Sequence, residues 1–173
     1  MTGVGLGATA WLRGGSGGVA VKVCGIAEAR GLDAAMSAGA DLVGFVFFER
    51  SPRAVTAGQA GGLSARVPAG RARRVGLFVD AADDVIAGVL AACVLDVLQL
   101  HGGETPARVA AVRARFGLPV IKALGIGEAG DLVAARAHAG VADALLLDAK
   151  PPPGPDTPGG HARLIETGLL AAE

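Results

Sequence analysis

A thiol and a carboxylate at the ends of two apolar segments are the residues of this sequence best suited to proton transfer. Cys24 ends the apolar segment that begins at Val21, and Asp148 follows three consecutive leucines. In a cavity of low dielectric constant, burial and neighbouring charges can bring the pKa of a thiol and of a carboxyl toward neutrality, as acid–base chemistry requires. Two simpler interpretations stay open: a free cysteine is often a small buried apolar residue, and a strand-end carboxylate can be solvated or ion-paired.

Other polar residues also lie at or near the ends of apolar segments. Gln99 and His101 alternate with leucines, so in a strand both point to one side, and we expect one of them to line a polar pocket. Lys122 could form a Schiff base or bind phosphate. The simpler interpretation is that the aliphatic part of its side chain is buried while its ammonium group reaches water. Cys93 is interpreted as structural, and His138 as a surface residue of a helix.

The elements that must position these residues are predicted from hydrophobic patterning. Six short segments recur about 20 to 30 residues apart and are apolar at nearly every position, which is typical of strands buried on both faces of a parallel sheet. These segments begin at Val21, Leu42, Arg74, Val94, Pro119 and Ala142.

The segments between the predicted strands carry signals for helix ends. Thr56 and Gln59 have the spacing of a capping box. Thr105 precedes Pro106, which matches an N-cap hydroxyl followed by proline at the first helical position, and Gly117 supplies a stop. The sequence therefore predicts strands and helices in alternation.

Repeated strand–helix units form either a doubly wound open sheet or a (β/α) barrel. An open sheet gathers ligands at the one crevice where strand order reverses, whereas a barrel brings the carboxyl ends of all its strands to one mouth. Nearly every predicted strand here ends in polar residues, namely Cys24, Asp80, Gln99, His101, Lys122, Asp148 and Lys150. This distribution favours an α/β fold of the TIM-type (β/α) barrel class.

The composition argues against several classes of function. Sixteen basic and sixteen acidic residues give a formal charge of zero, and only 3% of residues are aromatic, so neither nucleic acid nor a membrane is an expected partner. Two cysteines without paired spacing argue against a disulfide framework and a zinc ribbon. Without a signal segment or a long apolar run, the expected location is the reducing cytoplasm.

A chain of 173 residues fits a single domain. Its 28 glycines are about twice the usual share, and several lie in the first eighteen positions. We predict a flexible glycine-rich extension over residues 1–19, a barrel portion over residues 20–150, and a proline- and glycine-rich tail over residues 151–173.

Several of these residues lie in motifs that resemble those of one enzyme family. The resemblance is to phosphoribosylanthranilate isomerase of tryptophan biosynthesis, and it extends over residues 20–150 in order and spacing. It is carried by Lys-Val-Cys-Gly-Ile at 22–26, Ser-Pro-Arg at 51–53, Gln-Leu-His-Gly at 99–102 and Leu-Leu-Asp-Ala-Lys at 146–150.

The resemblance implies an Amadori rearrangement of phosphoribosylanthranilate, an aminoaldose phosphate, to the ring-opened aminoketose without metal or cofactor. It implies that Asp148 is the general acid that protonates the furanose ring oxygen, and that Cys24 is the general base that takes a proton from the adjacent carbon. Arg53 is implied to bind the anthranilate carboxylate, which suits its planar guanidinium. Gln99 and His101 are expected to contact the same small phosphosugar.

The sequence departs from this family after residue 150. Family members have eight strands, and the loops after the last two hold the substrate phosphate, whereas the sequence predicts six of eight β/α units. Such a barrel is expected to expose strand edges, a liability for self-association, and to position substrate less well. Two alternatives stay open: a non-catalytic remnant that associates through its open edge, and another TIM-barrel phosphosugar enzyme such as indole-glycerol-phosphate synthase, which would use a lysine acid.

Overall fold

The computed structural model describes residues 19–150 and Leu12. Strands and helices alternate along this part of the chain. In chain order the elements are β1 (Lys22–Cys24), α1 (Ala29–Ser37), β2 (Leu42–Phe47), α2 (Ala57–Ser64), β3 (Arg73–Phe78), α3 (Asp83–Ala92), β4 (Val97–Leu100), α4 (Pro106–Phe116), β5 (Val120–Ile126), α5 (Ala129–Arg136) and β6 (Ala144–Ala149). Apart from Leu12 and Val19, the predicted extension over 1–19 and the predicted tail over 151–173 lie outside the described residues.

The six strands form one parallel sheet whose spatial order follows the chain, from β1 to β6. A doubly wound sheet would instead reverse its strand order at one point. Residues of β1 and of β6, at the two ends of the described sheet, line a common pocket, so the sheet curls round an interior. The predicted TIM-type (β/α) barrel is confirmed, with six of its β/α strands in the described residues.

Side chains of the central strands are buried on both faces of the sheet. The residues that point toward the helices pack into a large core that includes Val43, Phe45, Leu98, Leu100 and Val120. The residues that point into the barrel form a smaller cluster of Leu42, Val75, Val97 and Ile121. This two-sided burial confirms the prediction for β2 to β5, whereas β1 and β6 are only half-buried because each has a neighbour on one side within the described sheet.

The predicted helix ends are also confirmed. The hydroxyl of Thr56 accepts a hydrogen bond from the Gln59 amide (3.2 Å), and the Gln59 side chain accepts one from the Thr56 amide (2.9 Å). Thr105 caps α4, and Gly117 ends it with a φ of 64°, in the left-handed region that glycine tolerates best. The longest helix of the described chain, α4, has 11 residues, and none of these helices is long and apolar enough to cross a membrane.

Candidate active site

Polar side chains from several strands converge on one cavity at the carboxyl edge of the sheet. The cavity has a volume of about 250 Å³ and is lined from β1, β2, β3, β4, β6 and the segment that follows β2. All five predicted site residues line it, namely Cys24, Arg53, Gln99, His101 and Asp148. Curling of the sheet therefore brings together residues from the first and the last described strands.

Cys24 is held in this cavity by its register with β2. It is paired with Gly44 of the neighbouring strand, and a Cβ atom added at Gly44 would lie 2.8 Å from the Cys24 Sγ atom. The amides of Gly25 and Ile26 both donate to the Gly44 carbonyl at 2.9 Å, which turns the chain sharply after the cysteine. The thiol therefore occupies space that exists because residue 44 has no side chain.

Arg53 lies beside the cysteine because the next residue is also a glycine. Gly25 has a φ of 84°, and a Cβ atom there would lie 2.6 Å from the Arg53 Cδ atom. The Arg53 guanidinium has no hydrogen-bond or ion-pair partner among the residues that the structure describes. It is thus available to a planar anion such as a carboxylate.

Gln99, His101 and Asp148 form a row across the cavity. The Nε2 atom of Gln99 lies 3.5 Å from His101 Nδ1, and His101 Nε2 lies 3.6 Å from Asp148 Oδ2. Asp148 Oδ1 accepts a hydrogen bond from the amide of Ala149 (2.9 Å). Gln99 is 2% exposed, and its Oε1 atom has no partner within the described chain. A buried acceptor without a partner is costly, so this oxygen is suited to a donor from a ligand.

Burial lowers the pKa of His101 below its ordinary value, and the charges of Lys122 and Lys22 lower it further. The carboxylates of Asp148 and Glu104 act in the opposite direction and raise this pKa, but burial is the largest effect. The imidazole is therefore neutral at pH 7, with one nitrogen free to accept a hydrogen bond.

We predict that the His101 ring titrates below the usual value of about 6.5, and that Asp148→Asn lowers its pKa further because a charge that favours the imidazolium is removed. Proton NMR of the histidine ring signals measures both, with His101→Asn identifying the signal. The pKa of His101 is lower in the folded state than in the unfolded state. The stability that neutral His101 contributes is therefore fully present above the unfolded-state pKa and is lost as pH falls from that value through the folded-state pKa. An unchanged or raised pKa in Asp148→Asn would contradict this electrostatic arrangement.

Lys122 does not reach water, so the simpler interpretation of this lysine is wrong. It is 1% exposed, and its ammonium donates to Glu104 Oε2 (2.9 Å) and to the carbonyls of Gly102 (2.7 Å) and Ala123 (2.9 Å). Alternation along β5 places Lys122 on the side of Val120, which packs among the helices, rather than in the barrel. Lys122 therefore lies on the helix-facing side of the sheet and does not line the cavity.

The structure also corrects the placement of His138. This residue follows the C-cap of α5 and is 8% exposed, with its Nε2 atom 3.1 Å from the Glu104 carbonyl oxygen. The contact joins residues far apart in sequence, which local patterning does not reveal. Two further strand-end residues lie outside the cavity lining: Asp80 is exposed, and the Lys150 ammonium pairs with Asp131 (3.1 Å).

Lys22 is a residue of the cavity that sequence reasoning missed. It lies two positions before Cys24 on β1 and lines the same cavity. The alternation of a strand was the available signal, since residues two apart point to the same face.

The fold and the site define a TIM-type (β/α)-barrel protein whose cavity lies where enzymes of this class hold their catalytic groups. Residues 21–171 match the family model described as N-(5'phosphoribosyl)anthranilate (PRA) isomerase. The chain belongs to this family of N-(5'-phosphoribosyl)anthranilate isomerases, which are isomerases of tryptophan biosynthesis.

Individual relatives agree with this assignment. The N-(5'-phosphoribosyl)anthranilate isomerase of Paracoccus denitrificans is 56% identical over 153 residues, which cover 88% of this chain and 71% of the relative. The crystal structure of the Thermotoga maritima phosphoribosyl anthranilate isomerase superposes with a TM-score of 0.75 and 33% identity, covering 88% of this chain and 70% of that one. A family member in complex with reduced 1-(o-carboxyphenylamino)-1-deoxyribulose 5-phosphate has a TM-score of 0.68 and 34% identity, covering 76% and 65% respectively.

Proposed function

We propose that this chain isomerises N-(5'-phosphoribosyl)anthranilate, with Asp148 as general acid and Cys24 as general base. The observation that carries the proposal is the convergence of a thiol, a carboxylate and a guanidinium on one cavity of about 250 Å³, with no partner for the guanidinium among residues 19–150. The complex of a family member with a reduced carboxyphenylamino deoxyribulose phosphate supports a phosphosugar as the ligand class.

The first proposed step opens the sugar ring. Asp148 in its protonated form gives a proton to the furanose ring oxygen as the bond between this oxygen and C1 breaks. The lone pair of the anthranilate nitrogen forms a C=N bond, so the product is a protonated Schiff base. Neutral His101 lies beside this carboxyl group, with its Nε2 atom 3.6 Å from Asp148 Oδ2.

The second proposed step moves a proton from carbon. Cys24 as a thiolate takes the proton from C2, the C–H electron pair forms a C1=C2 bond, and the electrons of the C=N bond return to nitrogen. The resulting enolamine becomes the aminoketose when the Cys24 thiol returns its proton to C1 and the hydroxyl on C2 gives its proton to water. Cys24 and Asp148 lie at the ends of different strands, so each group can act on a different atom of a single bound sugar.

Two further residues are proposed to bind the substrate. The Arg53 guanidinium packs over Gly25 beside Cys24 and has no partner within the described part of the chain, so it is suited to the anthranilate carboxylate. The unpartnered Oε1 atom of Gln99 is suited to a hydroxyl or N–H donor of the substrate. Both contacts would orient the sugar so that C2 faces the thiol.

The test is loss of the anthranilate fluorescence of the substrate when the purified 173-residue chain is added, compared with a Cys24→Ala variant. We expect turnover by the parent and a loss of roughly 10²- to 10⁴-fold in kcat for Cys24→Ala, since the base is removed. Cys93→Ala is the matched control: this cysteine is also a free thiol, but it is buried in the core away from the cavity. Its activity should stay close to that of the parent.

Two outcomes would contradict the proposal. Equal losses in Cys24→Ala and Cys93→Ala would mean that no specific thiol is required. A folded parent without turnover, whose unfolding midpoint rises with protein concentration, would instead indicate a non-catalytic protein that associates through its strand edges.

We also propose that the protein works in a reducing cytoplasm. Both cysteines are free thiols in the structure, and the proposed base must remain unoxidised to accept a proton. Loss of activity on mild oxidation and its recovery with dithiothreitol would be the expected behaviour. An activity insensitive to thiol oxidants would count against both the location and the role of Cys24.

Gly44→Ala is predicted to impair turnover far more than folding. The added methyl group would lie 2.8 Å from Cys24 Sγ and would rotate the thiol out of position. A displacement of this size can reduce kcat by about 10²-fold. The same Cβ lies 3.3 Å from the Cys24 Cα atom, so we expect a loss of about 1–3 kcal/mol in stability, which leaves the chain folded. Steady-state kinetics and thermal unfolding measure the two effects. Gly58→Ala, at a position with nothing within 4 Å, is the control and should retain activity; equal kinetics in both variants would contradict the prediction.

A further inference from the structure

Lys22 is the one lysine of the described chain whose ammonium has no ion-pair or hydrogen-bond partner there. The chain contains three lysines, of which Lys122 pairs with Glu104 (2.9 Å) and Lys150 with Asp131 (3.1 Å). Lys22 nevertheless lies half-buried in the wall of the cavity and not on an outer surface. A cation that is partly removed from water and has no partner within the described chain is suited to a ligand that brings an electron-rich oxygen.

The position of the ammonium relative to the thiol follows from Gly44. The space that a Cβ atom would occupy at Gly44 lies 2.8 Å from Cys24 Sγ and 3.3 Å from Lys22 Nζ. These two distances place Sγ and Nζ within about 6 Å of each other, close enough for both to reach groups on one carbon atom of a ligand. Alternation along β1 keeps both side chains on the interior face.

We propose that Lys22 is a catalytic residue that donates a hydrogen bond to the oxygen on C2, the carbon from which Cys24 takes its proton. This inference rests on the proposed isomerisation and adds a residue to it. As the enolamine becomes the ketone, the hydroxyl on C2 gives its proton to water and negative charge develops on this oxygen, while C1 gains its proton from the Cys24 thiol. An ammonium already in place stabilises that charge without reorganisation of solvent.

The first test compares Lys22→Met with the parent. Methionine preserves the apolar stem of the side chain and removes the charge, so we expect a loss of roughly 10²- to 10³-fold in kcat. KM should rise by about tenfold, less than kcat falls, since the contact with the neutral C2 hydroxyl of the substrate is weaker than the contact in the transition state. Lys150→Met, which removes an exposed lysine outside the cavity, is the control and should behave like the parent. A kcat for Lys22→Met within twofold of the parent value would overturn the proposal.

A second variant separates an electrostatic role from a structural one. Lys22→Ala leaves a gap where the ammonium stood, and we expect added propylamine to restore part of kcat in proportion to the concentration of its ammonium form. Tetramethylammonium has the same charge but no N–H donor, so it should not restore activity. Loss of activity without rescue, together with a lower unfolding midpoint, would show that Lys22 acts through folding and would overturn the proposal.

Two measurements that do not depend on turnover make failure of this inference distinguishable from failure of the proposed function. Lys22→Met should raise the pKa of His101, because the Lys22 charge lowers it, and this NMR readout does not depend on turnover. Lys22→Met should also weaken binding of reduced 1-(o-carboxyphenylamino)-1-deoxyribulose 5-phosphate, which carries a hydroxyl on C2, by about tenfold or more. If the parent binds this compound but does not turn over substrate, the proposed isomerisation is wrong while the Lys22 contact can still be measured. Equal affinity in parent and variant overturns the Lys22 contact.

Discussion

Asp148→Asn is expected to abolish the turnover of phosphoribosylanthranilate while leaving the chain folded. Asparagine has the shape of aspartate, and its side-chain oxygen can still accept the hydrogen bond from the Ala149 amide (2.9 Å). It cannot give a proton to the ring oxygen, so we expect kcat to fall by roughly 10²- to 10⁴-fold. The measurement is the rate of fluorescence loss at saturating substrate, with circular dichroism to confirm the fold.

The matched control for this substitution is Asp33→Asn. Asp33 forms an exposed ion pair with Arg66 (3.0 Å) on the outer surface, so its replacement should change stability by less than about 1 kcal/mol and leave kcat unchanged. If Asp148→Asn retained a tenth or more of the parent kcat, the general acid would have to be another group. The combination with Cys24→Ala should cost little more than the worse single variant if both act on one bound sugar.

Lys122→Met is expected to have the largest effect on stability. Lys122 and Glu104 are each about 2% exposed at their side chains, and removal of the ammonium leaves the Glu104 carboxylate buried without its counter-charge. Breaking a buried pair in this way typically costs about 3–5 kcal/mol. Urea unfolding should therefore show a much lower midpoint with an unchanged slope.

Two further variants test whether the loss of stability comes from the buried Glu104 carboxylate that is left without a counter-charge. Lys122→Met with Glu104→Gln should recover part of the loss, because the remaining amide is neutral and its one oxygen can still accept from either the Gly102 or the Asp80 amide (both 2.9 Å to the native carboxylate). Lys150→Met removes an exposed partner of Asp131 and should change stability by less than about 1 kcal/mol. A Lys122→Met variant as stable as the parent would show that the buried pair does not hold the fold.

The Lys122–Glu104 pair also supports the backbone on either side of His101 in the candidate active site. The Lys122 ammonium donates to the carbonyls of Leu100 (3.4 Å) and Gly102 (2.7 Å), the residues on either side of His101. Glu104 in turn accepts from the Gly102 amide, so the backbone that carries the imidazole is held from both ends. A loosened pair should therefore also increase the distance between His101 and Asp148.

Much of the architecture could be predicted from local signals. Apolar segments of strand length, the Thr56–Gln59 capping box and the Gly117 stop are determined by interactions within a few residues, and the structure confirms each. The placement of Cys24 and Asp148 at the carboxyl ends of strands could be predicted for the same reason. Parallel strands joined by helices end on the same edge of the sheet, which brings such residues to one mouth.

Which face of each central strand points into the barrel was decided by the tertiary structure. The central strands are buried on both faces, so their sequences lack the alternation of polar and apolar residues that would show which positions face the interior. Curling of the sheet placed Lys22 inside the barrel and Lys122 among the helices. The burial of His138 likewise depends on Glu104, which lies 34 residues away. The sequence by itself thus determined the elements and their polar ends, whereas closure of the sheet decided which polar groups share the cavity, because that choice depends on contacts between distant strands.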